Sequence, residues 1–159
     1  MTARIDLGWH LARMRVTGIV VLVVTLLVAA VAYTMPYRGS SVASPVTVTL
    51  VAFAAGLWIG FSANRDAGAR MKKIRRAYAV HGDEERLLRD HWLAYVAVLL
   101  RLEVMAVAGF VVSLWGTGPA SGVWLLALCA IMIVLTWPTR RKTQLLLGRA
   151  RAAREDVQG

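Results

Sequence analysis

The chain predicts an all-α fold: an integral membrane four-helix bundle with N and C termini cytoplasmic and a cytoplasmic helical hairpin between spans 2 and 3. Three observations carry that expectation. Four long apolar stretches, approximately 16–35, 46–63, 93–115 and 121–137, are divided by short polar segments. With 58% hydrophobic residues, 18% charged residues and a mean hydropathy of +0.57, the 159 residues are too apolar for a water-solvated domain of this size. Apart from Arg38 and Arg101, all nineteen Lys and Arg residues fall in the N-terminal arm, the segment 64–92 or the tail 138–159. Lys and Arg in short loops hold those loops in the cytoplasm, so this one-sided charge fixes an even number of spans with both ends inside.

Span 1 follows Arg13 and Arg15 and runs apolar from Val16 to Met35. Small residues at Ala30 and Ala32 also fit a signal peptide cleaved near Tyr33, but the run is long for the apolar part of such a peptide. An uncleaved span is the reading adopted. A short outer loop, Pro36 to Pro45, supplies Gly, Ser and Pro for the turn. Span 2 is near the lower length limit for crossing about 30 Å of hydrocarbon and contains Gly56 and Gly60 at GxxxG spacing. Such small residues let helix backbones approach, within one chain or between two.

The segment 64–92 reads as a helical hairpin. Met71, Ile74 and Tyr78 recur at helical spacing while Arg70, Lys72, Lys73, Arg75 and Arg76 occupy the remaining surface. These five cations are the candidate site for anionic lipid headgroups or for an acidic partner. Gly82 should end the first helix, and Asp83, Glu84 and Glu85 should cap the next, placing the acidic cluster beside the basic end of its neighbour. Interleaved aromatics are lacking apart from Tyr78, so nucleic acid is not the expected partner, despite the net charge of +10.

Span 3 carries the most costly residues. A rise of 1.5 Å per residue inward from Trp115 puts Arg101 about 9 Å and Glu103 about 12 Å below the cytoplasmic surface of the hydrocarbon. Arg101 can extend toward the headgroups, whereas the shorter Glu103 needs a partner, water or a proton. Two residues apart, they point about 200° from one another and cannot pair along the helix. Each is therefore a candidate partner or ion site within the membrane, or a bond to a Thr, Ser or Tyr of a neighbouring span. Gly109 and Ser113 repeat the small-residue spacing. Span 4, bounded by Trp124 and Trp137, leads to the basic tail 138–159. The whole chain forms one transmembrane domain.

No catalytic site is expected. His10, His81 and His91 lie outside the apolar centres, Cys129 is alone in mid-span, and no nucleophile elbow, phosphate loop, dinucleotide fingerprint or metal-ligand spacing occurs. Metal and cofactor are therefore not expected, and an enzyme is the least favoured class. Sixteen Arg against three Lys, with abundant Ala, Gly and Val, fits a high-GC bacterial genome. The expectation is a multi-pass protein of the inner (cytoplasmic) membrane, a non-enzymatic accessory or assembly subunit that binds a membrane-protein partner. The alternative is a homo-oligomeric channel or ion-coupled small transporter, including a phage holin-like permeabilising protein, built around Glu103.

Overall fold

The computed structural model describes residues 7–35, 44–115, 117 and 119–158. They form five helices and no strand: α1 (Leu7–Thr34), α2 (Pro45–His81), α3 (Glu84–Trp115), α4 (Pro119–Leu135) and α5 (Arg140–Gln158). Most of the expected first outer loop, with Arg38, lies outside the described residues, as does Arg4 of the arm. Helices α1, α2 and α3 are each long and apolar enough to cross a membrane. Helix α4, with 17 residues, passes the same test only together with α5, from which it is bent by 55°.

The helix ends follow local chemistry. Ser44 caps α2 by accepting from the Thr47 N–H at 3.3 Å, and Pro45 fills the first turn, where a missing N–H costs nothing. Helix α2 then runs unbroken through the apolar stretch and the basic segment for 37 residues. Gly82 stops it at φ 68°, a left-handed conformation that glycine adopts without steric cost, and its N–H bonds the Tyr78 carbonyl at 2.7 Å. Asp83 starts α3 by accepting from the Arg86 N–H at 3.0 Å. At the far end of α4 the Lys142 ammonium donates to the Leu135 and Trp137 carbonyls, at 3.1 and 3.2 Å. These are carbonyls that a helix terminus leaves without internal partners.

Helix α3 is the centre of the bundle. It packs against α1, α2 and α4, while α1 also meets α4. Met14, Leu99, Leu102, Met105, Leu125 and Ile133 are buried in the shared core. The tightest approach joins α3 and α4: Ser113 is fully buried and donates to the Gly109 carbonyl, and a methyl group on Gly122 would overlap both the Ser113 hydroxyl and that carbonyl. Gly56 likewise faces inward, against Leu125 and Met105, and Gly60 lies near Met105. The small residues of α2 and α3 are thus used within the chain.

The tail 138–159, read from sequence only as basic, folds as α5 and lies along the hairpin end of α2. Ala150 and Leu147 of α5 pack with Tyr78, Ile74 and Leu87, forming a second, smaller core. This changes one expectation. Glu84 pairs with Arg151 of α5, at 2.8 Å, and accepts from the Tyr78 hydroxyl at 3.3 Å, so the acid meets the tail and not the cations of α2. The periodicity that places Ile74 and Tyr78 inward turns Arg70, Lys72, Lys73 and Arg76 to the surface.

Candidate functional site

Polar side chains concentrate at three levels of the bundle. The deepest contains Glu103. Its carboxyl oxygen lies 2.7 Å from the Thr25 hydroxyl of α1, whose single proton is shared between Glu103 and the Val21 carbonyl of its own helix, 3.0 Å away. Thr25 is 1% exposed. Cys129 of α4, fully buried, donates to the Leu102 carbonyl at 3.1 Å, so α1, α3 and α4 each contribute a polar atom to one neighbourhood. Thr25 is one of the Thr, Ser or Tyr neighbours that the sequence offered for Glu103.

Arg101 turns the other way, toward α2. Its guanidinium meets the Asp66 carboxylate at 2.5 Å, with the two side chains 37% and 47% exposed. Sequence reasoning left Asp66 outside any site because it lies beyond the apolar part of α2. The register of an antiparallel pair is what brings it to Arg101, and periodicity within either helix is silent about that.

This pair fixes the depth of α2 relative to α3. Asp66 lies three residues past the expected end of span 2, yet it faces a residue eight positions inside span 3. On the other side of α3, Gly18, Tyr95 and Trp137 meet at one level. Arg101 is six residues along α3 from that level, a distance of about 9 Å. The polar half of α2 therefore runs alongside an apolar stretch of α3, and the small residues Ala63, Ala67, Ala94 and Ala97 line the contact around the ion pair.

The third level was not foreseen. His10 Nε2 and His91 Nδ1 are 3.4 Å apart across α1 and α3, and His10 is buried. Burial lowers the His10 imidazole below its ordinary range, with the positive charge of Arg13 adding to the effect. Burial, followed by the proximity of His10, pushes His91 down to about 4. The two rings thus meet as neutral imidazoles at neutral pH. Arg13 lies over the Trp92 ring, 3.8 Å from its centroid, a cation–π contact that ties the same two helices. The signal in the sequence was the placement of each His just before an apolar stretch, which does not say that they meet.

Compared with known proteins, the chain matches no family model, no curated protein and no solved structure.

The remaining candidates are distributed as follows. Gly56, Gly60, Gly109 and Ser113 pack helices within the chain. Arg70, Lys72, Lys73 and Arg76 are exposed and Arg75 is half-buried, without an ion pair among the described residues. No group of three or more His, Cys, Asp or Glu suited to a metal ion occurs among the described residues. Arg101 and Glu103 remain separate sites: one opens at the surface between α2 and α3, and the other lies between α1 and α3.

Proposed function

We propose that this chain is a four-span protein of the bacterial inner membrane, both termini cytoplasmic, acting as a non-enzymatic accessory or assembly subunit that holds a membrane partner. The observation that supports it best is on α2. Trp58 and Phe61, about one turn apart, are 75% and 74% exposed, with Leu57 at 42% beside them. Tryptophan prefers the membrane interface. Here it lies five residues inside the cytoplasmic end of the apolar run 46–63, on the side facing away from the bundle. Aromatic side chains are enriched among the residues that anchor protein contacts, and this lipid-facing surface is where we place the partner.

Both ionisable residues of span 3 have a neighbour within the chain, Asp66 for Arg101 and Thr25 for Glu103, so this reading assigns the partner contact to the outward face of α2 and not to these groups. The topology rests on the one-sided distribution of Lys and Arg in the sequence.

Purification in mild detergent tests this. A second membrane protein should co-purify with the intact chain and be lost from Trp58→Ala/Phe61→Ala, while the variant keeps its elution volume and melting temperature. Recovery of the chain alone at every detergent strength tried would count against the accessory role. A second reading, ion-coupled transport, is favoured by one observation only, the carboxylate of Glu103 among membrane-level helices. Proteoliposome flux that vanishes in Glu103→Gln would establish it in place of the first.

A further inference from the structure

The face between α2 and α3 carries an unused constellation. Beside the Asp66–Arg101 pair, Arg70, Lys73 and Ile74 of α2 and Asp90, Leu93 and Ala94 of α3 line an open groove of about 280 Å³. The notch around the ion pair shares Arg70 and Ala94 with it, so the two are continuous. Arg70 and Lys73 are both exposed and make no ion pair among the described residues.

We propose that this groove seats the headgroup of one phospholipid, its phosphodiester held by Arg70 and Lys73. The inference deepens the membrane reading above and rests on it. Three features argue for this occupant. The first is charge. Arg101 is satisfied by Asp66, and of the remaining groove residues Arg70 and Lys73 oppose Asp90 alone, leaving one excess positive charge for one phosphodiester.

The second feature is depth. The Asp66–Arg101 pair lies about 9 Å further into the bundle than the level at which Gly18, Tyr95 and Trp137 meet. Arg70 lines the notch between these levels, with Ala94, Ala97 and Val98. Polar groups there need a hydrated or charged neighbour. A headgroup seated in the open groove of about 280 Å³ supplies one at the mouth of the notch, which at about 10 Å³ itself holds no more than a water.

The third is the apolar continuation. Leu93, Leu100 and Val104 of α3 are exposed, at 50%, 62% and 51%. Leu93 lines the groove itself, and the other two continue along α3 in the direction in which acyl chains leave a headgroup. A soluble acidic segment would have no use for such a flank.

Native mass spectrometry of the full chain, purified in detergent and stripped of lipid, tests the proposal with added phosphatidylglycerol. One molecule should be retained preferentially. Its apparent affinity should fall at least fivefold in Arg70→Ala/Lys73→Ala, recover in Arg70→Lys/Lys73→Arg, and change less than twofold in Arg140→Ala/Arg141→Ala. Diacylglycerol with the same chains should not be retained.

Equal losses in the two alanine variants would mean diffuse surface charge and overturn the site. Unchanged affinity in Arg70→Ala/Lys73→Ala would leave these cations to an acidic protein surface, and displacement by inorganic phosphate would assign the groove to the free anion; either outcome overturns the lipid. Melting temperatures of all variants guard against misfolding. The measurement needs neither a partner nor a known orientation, so its failure and that of the accessory reading are told apart.

Discussion

Arg101 of α3 and Asp66 of α2 form an ion pair that sets the register of the two longest helices. Because both side chains are partly exposed, the pair acts more on alignment than on stability. A double-mutant cycle with Asp66→Asn and Arg101→Leu should give a favourable coupling energy of about 0.2–1 kcal/mol. Either single variant should also alter labelling of a cysteine placed at Ala97. Additivity of the two substitutions in thermal melts, with unchanged labelling, would show that apolar packing sets the register alone.

The Thr25–Glu103 bond should be worth more per atom, because Thr25 is buried. Thr25→Val keeps the shape and removes the donor, and should lower stability by about 0.5–1.5 kcal/mol. Combined with Glu103→Leu, which removes the acceptor, most of that loss should disappear. Reversible unfolding in mixed micelles measures both effects.

Gly122 is the position least able to accept a side chain. Gly122→Ala should cost about 1–3 kcal/mol through overpacking against Ser113 and Gly109. Gly148 of α5, with no atom near enough to meet an added methyl, provides the contrast. Gly148→Ala should be stabilising by about 0.5–1 kcal/mol, as helix propensity requires. Thermal melts of the two variants that move in the same direction would contradict the described packing.

The histidine pair predicts a pH dependence. Both imidazoles are lowered in the fold, so below the ordinary histidine range the unfolded chain binds more protons than the folded one. The stabilisation is present above about pH 6.5 and is lost as pH falls toward 4, the folded value for His91. The melting temperature of the wild type should therefore drop by several degrees over that window. His91→Gln, which cannot protonate, should flatten the drop.

Much of the architecture was readable because each helix signals itself locally. The apolar stretches mark α1 to α4, Ser44-Pro45 marks the start of α2, and Gly82-Asp83 marks the turn into α3. The opposed directions of Arg101 and Glu103 also follow from helical geometry alone. Contacts between distant helices are different in kind. Asp66 facing Arg101, Thr25 facing Glu103 and His10 facing His91 depend on relative sliding and rotation, which no local pattern encodes. Helix α5 was hidden by its charge, since its inward Leu147 and Ala150 are too few to mark an apolar stripe amid six cations in the tail.

Helix α2 contains no break over its 37 residues, which gives a rod about 55 Å long. At one end Thr49 is bonded to Thr117 at the turn between α3 and α4, at 3.0 Å, and at the other α5 is fastened beside it. Held at both ends and joined to α3 between them by the Asp66–Arg101 pair, such a rod cannot swing at one end alone, so an adjustment of tilt at one face of the bundle is carried along its length to α5 at the other.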